Sequence, residues 1–181
     1  EMARALGHNA HRFSIEWSRI ESRPGRWNYG ALQHYLDVVR ALRARGIEPI
    51  VTLHHFTNPA WLAEQGGWLR KDIVARFADY AERVAERLAG EVRYWISINE
   101  PTVYAKHAFV TGTWPPGVRG SWRQALAVMR NMARAHIAVH TILHRYREDA
   151  MVGFAHSAPL IMACNPQRPL DRAATFMRDV A

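Results

Sequence analysis

Glu100 is the side chain in this sequence best placed for acid–base chemistry. It closes the apolar run Trp95-Ile96-Ser97-Ile98, lies beside the amide of Asn99 and precedes Pro101, which cannot donate to a sheet ladder. A carboxyl at a strand end, partly withdrawn from water, keeps its proton longer and can pass it to a leaving oxygen. Asn99 can hold a substrate hydroxyl. Read alone, Glu100 could equally be a helix cap or half of an ion pair. Other strand ends carry Glu16 and Trp17, His54 and His55, and His156 and Ser157. Adjacent strand residues point to opposite faces, so His54 and His55 cannot share one ion. The two rings are therefore expected to have different surroundings. His136, His140 and His144 line one helix face but bring no thiolate or carboxylate to complete a metal set. No metal and no cofactor are expected. The lone Cys164 excludes a disulfide framework and reads as a buried, inert thiol.

These residues need elements to carry them, and two periods alternate along the chain. His11–Trp17 alternates as a strand, with Phe13 and Ile15 on one side. Tyr29–Arg45 has a helical stripe of Leu32, Leu36, Val39 and Leu42, stopped by Gly46. Glu48–His54 is β-rich. Asp72–Ala89 is helical, with Ile73, Phe77, Val84 and Leu88 on one face, and Val92–Ile98 is a third strand. Ser121 and Gln124 form a capping box that opens a long helix with a stripe of Leu126, Met129, Ala133, Ile137 and Leu143. Ala150–Ala155 is a fourth strand, and Leu170–Ala181 a further helix.

Strand and helix in strict alternation predict an α/β fold of parallel strands with right-handed crossovers. An open dinucleotide-type sheet would place a Gly-rich turn after the first strand, and none is present. Polar residues at several strand ends fit a (β/α)8 barrel, whose sites are assembled at that face. A complete barrel takes about 250 residues. The 181 residues are therefore expected to form one partial TIM-barrel domain, residues 1–181. Phe56–Lys71 and Pro101–Gly120 are long excursions rich in Pro, Gly and Trp. Their aromatics suit stacking on sugar rings or packing of the loops themselves.

The net charge of +8 does not point to nucleic acid. The arginines scatter over the polar faces of the helices instead of forming one stripe. No apolar run approaches the ~20 residues that cross a bilayer, so no membrane span is expected. Glu1–Asn9 has no apolar centre and does not read as a leader. A cytoplasmic location is the expectation.

Trp95-Ile96-Ser97-Ile98-Asn99-Glu100-Pro101 resembles the acid/base motif of glycoside hydrolase family 1, the β-glucosidase and β-galactosidase family, written T-x-N-E-P. Other segments follow in order. Arg12-Phe13-Ser14-Ile15-Glu16-Trp17-Ser18-Arg19-Ile20 is similar to the family's R-F-S-x-x-W-S-R signature, and Gly46-Ile47-Glu48-Pro49-Ile50-Val51-Thr52-Leu53-His54-His55-Phe56 to its third strand. Gly66-Gly67-Trp68, Pro115-Pro116-Gly117 and Ala135-His136 are also family-like. The resemblance implies that Glu100 is the general acid/base and that Asn99 bonds the sugar 2-hydroxyl. It implies that His55 contacts the 3-hydroxyl region and that Arg12 lies beside the nucleophilic carboxylate. Trp114 and Trp122 are implied more loosely, near the acceptor side. Ser97 stands where Thr is usual, Thr102 where many members have Trp, and Phe56-Thr57 where Trp-Asp is common.

The implied substrate is a β-linked oligosaccharide or an aryl or alkyl β-glycoside, cleaved with retention. That route needs two carboxyls about 5–5.5 Å apart. The family's second carboxylate, in T/S-E-N-G, and its Q-x-E-G motif have no match here. The chain thus reads as the second to fifth βα units of an eight-unit barrel, inactive alone, with its nucleophile elsewhere. Glu16 is expected to anchor a loop and not to replace that nucleophile. The alternative is a non-catalytic sugar-binding remnant. Unpaired barrel edges predict self-association.

Overall fold

The computed structural model describes residues 1–158 and 160–179. The chain runs α1 (Met2–Ala5), β1 (Ala10–Ser14), α2 (Trp17–Ile20), β2 (Glu21–Arg23), β3 (Arg26–Trp27) and α3 (Tyr29–Arg43). It continues through β4 (Glu48–His54), α4 (Ala60–Glu64), a 3-10 turn at Gly67–Leu69 and α5 (Ile73–Leu88). It ends with β5 (Tyr94–Asn99), α6 (Pro101–Phe109), α7 (Trp122–Tyr146), β6 (Met151–Ala155) and α8 (Pro169–Asp179). Of the helix expected over Leu170–Ala181, Val180 and Ala181 lie outside the described residues.

β1, β4, β5 and β6 form one sheet in that order, all neighbours parallel. Parallel strands require crossovers, and α3, α5 and α7 supply them. The C-terminal ends of β1, β4 and β5 therefore lie side by side at one end of the sheet. β2 and β3 make a separate antiparallel ribbon. β1 and β6 are the outer strands.

The core lies between the sheet and the three crossover helices. Tyr80 on α5 shows how the layers are tied. Its hydroxyl donates to the carbonyls of Ile15 and Leu53, at 3.2 and 3.1 Å, and its ring stacks on Trp17 at 5.0 Å. One buried side chain so fixes α5 against the ends of β1 and β4. Glu21 is also buried, and its carboxylate accepts from the Trp17 indole and the Gly25 amide, at 2.9 and 2.7 Å. A buried charge held by two N–H donors is compensated for much of its lost hydration. Asn28 caps α3 by accepting from the Ala31 amide at 3.0 Å, and Gly46 takes a left-handed φ of 70° just beyond that helix.

Several sequence expectations change. The first strand stops at Ser14, because Glu16 caps α2 and Trp17 begins it. The excursion after β5 contains α6, with Pro101 at its first turn, where a missing N–H costs nothing. The long helix buries Ala125, Val128, Met132, Ala135, Val139, Ile142 and Leu143. Leu126 and Ile137 of the expected stripe are instead exposed. The buried face of α7 packs mainly against α5 and α6 and also against β5 and β6. Ser121 occupies the cap position without a side-chain bond, so the capping box is not formed. Cys164 is exposed, not buried, because its loop lies outside the packed layers. No helix among the described residues is long and apolar enough to cross a membrane.

Candidate active site

Arg12, on β1, reaches across β4 to β5. Its Nε donates to Thr52 Oγ1 at 2.9 Å and its Nη2 to Asn99 Oδ1 at 2.5 Å. Thr52 and Asn99 are both buried, so the guanidinium is held by groups with little freedom of their own. Arginine only donates, so Asn99 must present its carbonyl oxygen to it. The Asn99 amide nitrogen, with two protons, is left for another acceptor. None of the ion pairs among the described residues includes Arg12.

Glu100 follows Asn99 at the junction of β5 and α6. Its backbone takes φ 44° and ψ 61°, a left-handed conformation that costs a non-glycine residue roughly 1–2 kcal/mol. Surrounding bonds hold it there. Its amide donates to the Ala155 carbonyl of β6 at 2.9 Å, and its carbonyl accepts from the Tyr104 amide at 3.1 Å. The carboxylate has no hydrogen-bond or ion-pair partner among the described residues, so it neither caps α6 nor closes a salt bridge. Phe56 is the second non-glycine residue with positive φ, at 72°, and it follows His55. Strain of this kind gathers where a structure must aim a side chain.

His54 and His55 separate as the strand geometry requires. His54 is buried, with Nε2 lying 3.3 Å from Asn58 Oδ1 and 3.2 Å from the Trp68 indole nitrogen. Burial pushes its pKa down to about 4, so the ring is neutral near pH 7. Asn58 also donates to the Tyr104 hydroxyl at 3.0 Å. That chain of bonds ties the loop after β4 to the helix that Glu100 precedes. His55 is exposed, with Nδ1 2.9 Å from Ser14 Oγ. Partial burial and then the Arg12 charge lower its pKa, while the Glu100 charge opposes them.

Glu16 anchors a loop, as expected. Its carboxylate accepts from the Ser18 hydroxyl at 2.9 Å and from the Thr57 hydroxyl at 2.8 Å. Trp114 is half-buried, its ring 4.7 Å from Phe56 and 4.8 Å from His107, so it packs the loops together. Phe56 in turn lies 5.0 Å from the His55 ring. Trp122 sits in the first turn of α7, 61% exposed. Among the described residues, no three His, Cys, Asp or Glu side chains group closely enough to hold a metal ion.

The structure adds contacts that spacing did not show. Ser14 and Thr52 hold His55 and Arg12 from neighbouring strands. Ser97 Oγ lies 2.8 Å from His136 Nδ1 and donates to the Gly153 carbonyl at 3.2 Å, locking β5 to β6 and α7 just below Asn99. Each contact joins positions about 40 or more residues apart, visible only once strand register is known.

The family model for glycosyl hydrolase family 1 matches residues 1–181. Human Klotho is 36% identical over 179 residues, covering 96% of this chain and 17% of Klotho. The solved β-glycosidase from Pyrococcus horikoshii is 36% identical with a TM-score of 0.87, covering 98% of this chain and 41% of that one. The Thermotoga maritima β-glucosidase in complex with glucoimidazole is 30% identical with a TM-score of 0.86, over 97% of this chain and 40% of that one. The chain thus spans under half the length of these relatives. Its four parallel strands with their helices are part of a (β/α)8 barrel. With the whole chain matched and the motif residues gathered at one end of its sheet, the chain belongs to glycosyl hydrolase family 1.

Proposed function

We propose that the protein carrying this chain is a retaining β-glycosidase in which Glu100 is the general acid/base. The observation that supports this most is the pair Arg12–Asn99 beside Glu100, whose carboxylate has no partner among the described residues. Asn99 and His55 hold sugar hydroxyls. Arg12 offers its remaining N–H groups to a second carboxylate, supplied from outside these 181 residues. A neighbouring guanidinium keeps such a carboxylate ionised and fit to attack.

The reaction divides into two displacements. The ionised carboxylate attacks the anomeric carbon while Glu100 gives its proton to the departing glycosidic oxygen. A covalent glycosyl ester forms and the alcohol leaves. Glu100, now ionised, takes a proton from water as the water oxygen attacks the same carbon and the ester bond breaks. The relatives in complex with a sugar-like inhibitor support a β-glycoside as the substrate.

The test is turnover of an aryl β-glucoside. The 181-residue chain alone is expected to show none. A longer protein that also carries the second carboxylate is expected to turn over and to lose activity on Glu100→Gln. Turnover by the short chain, abolished by Glu100→Gln, would overturn the assignment of the nucleophile to another segment. Sugar binding without turnover by the longer protein would leave only a binding role.

A further inference from the structure

The end of β1 grips the end of β4 on both sides of His55. Ser14 Oγ lies 2.9 Å from His55 Nδ1, and Glu16, two residues further along, accepts from the Thr57 hydroxyl at 2.8 Å. Between these two bonds sits Phe56, with φ at 72°, and the Thr57 amide folds back to the His55 carbonyl at 2.9 Å. The turn is tight and tied at both ends, so the imidazole edge carrying Nε2 is the one left to meet a ligand.

We propose that Ser14 is the positioning residue that fixes His55 as its Nε2–H tautomer and so makes it an obligate hydrogen-bond donor. A neutral imidazole carries one N–H, and its other nitrogen accepts. Were the proton on Nδ1, it would point at the serine oxygen, and the serine proton would be left to solvent at this exposed edge. With the serine proton donated to Nδ1, both groups are used and the ring proton moves to Nε2. Neutrality follows from the surroundings: partial burial and the Arg12 cation both disfavour a second ring proton.

The consequence reaches the ligand. Asn99 has turned its oxygen toward Arg12, so its free amide edge also donates. Arg12 only donates. Arg12, His55 and Asn99 then present N–H groups alone. They complement a ligand rich in oxygen lone pairs, and each hydroxyl that accepts from them keeps its own proton to give to a carboxylate. The tautomer stands without reference to catalysis, and its use in gripping a sugar rests on the glycosidase reading.

The test is a long-range proton–nitrogen NMR spectrum of the full chain labelled with ¹⁵N-histidine at neutral pH, with the His55 signals identified by their loss in His55→Gln. Such a spectrum reads each ring nitrogen as protonated or bare. In the wild type, Nδ1 is expected bare and Nε2 protonated. Ser14→Thr, which keeps the hydroxyl, is expected to keep that pattern. Ser14→Ala is expected to move both nitrogens toward averaged positions as the two tautomers exchange. A protonated Nδ1 in the wild type, or an unchanged pattern in Ser14→Ala, overturns the proposal. Should Ser14→Ala fail to fold, Ser14→Val, isosteric with the threonine variant but without its hydroxyl, is expected to show the same averaging, and an unchanged pattern there overturns the proposal. Loss of glycosidase activity plays no part in the readout, so the two proposals fail separately.

Discussion

Arg12 and Asn99 are joined by a hydrogen bond that crosses an entire strand. The guanidinium starts on β1, passes Thr52 on β4 and ends at the amide oxygen of a residue 87 positions later on β5. The bond fixes both partners. It also decides which edge of Asn99 faces outward, a choice the sequence motif leaves open.

Truncating Asn99 therefore has a structural cost as well as a functional one. Asn99→Ala is expected to destabilise the chain by about 1–3 kcal/mol, the usual penalty for stranding a hydrogen-bond partner. Asn99→Asp keeps an acceptor for Arg12 and turns a bond that is already charge-assisted into an ion pair. It is expected to cost less than Asn99→Ala while removing the outward donors. Urea unfolding of the two variants checks the order, and a more damaging aspartate would contradict it.

Glu100 sits in a backbone conformation suited to glycine. Glu100→Gly removes the Cβ penalty but adds unfolded-state entropy, of about 0.5–1 kcal/mol. Set against roughly 1–2 kcal/mol of relieved strain, the net expectation is a variant as stable as the wild type or about 1 kcal/mol more stable. Glu100→Gln, which keeps the strain, is expected to match the wild type. A clear loss of stability in Glu100→Gly would show that the side chain supports the fold and is not held there for chemistry.

His54 makes stability depend on pH in a defined direction. Its folded pKa is about 4, below the usual value of 6.5. Folding thus favours the neutral ring. That contribution is complete above pH 6.5 and fades as pH falls through 6.5 toward 4. The shift corresponds to about 3 kcal/mol. Unfolding free energies at pH 7 and pH 4, for the wild type and for His54→Gln, isolate this group from the other acid-sensitive residues. The wild type is expected to lose about 3 kcal/mol more than the variant across that range. Equal losses would place the acid sensitivity elsewhere.

The outer strand β6 and the last helix leave apolar side chains uncovered. Met151 and Phe154 on β6, and Leu170, Phe176 and Met177 on α8, are all more than half exposed. Parallel edges with such neighbours invite pairing with another chain. The purified 181-residue chain is expected to self-associate in sedimentation velocity, and Phe154→Lys is expected to reduce it. A clean, stable monomer of the wild type would count against exposed edges as a driving force.

Local pattern carried much of this architecture. The bounds of β4, Glu48–His54, follow from β-branched residues and match the structure. Gly46 ends the preceding helix as its type suggests. The strand-end position of Glu100 was legible because an apolar run stops there. What pattern could not supply is register. Ser14 meets His55, and Thr52 meets Arg12, because β1 and β4 pair with Arg12 opposite Ile50. On α7 the pattern misleads, since hydropathy ranks Leu126 and Ile137 above the alanines that pack. That face packs mainly against α5 and α6, and the sequence pattern does not show where those helices lie. Pro101 reads as the end of a strand, and it is also the start of a helix.

The role of Glu100 as a proton donor is tested most directly by the leaving group. In a protein that carries this chain and the second carboxylate, wild type and Glu100→Ala are compared on two aryl β-glucosides. One releases a phenol so acidic that it needs no proton, the other a weakly acidic phenol that does. With Glu100 as the donor, little change is expected in the first glycosylation rate. A loss of about 10²–10⁴-fold is expected in the second, the range a positioned general acid contributes. Equal losses on both substrates, or none on either, would contradict it.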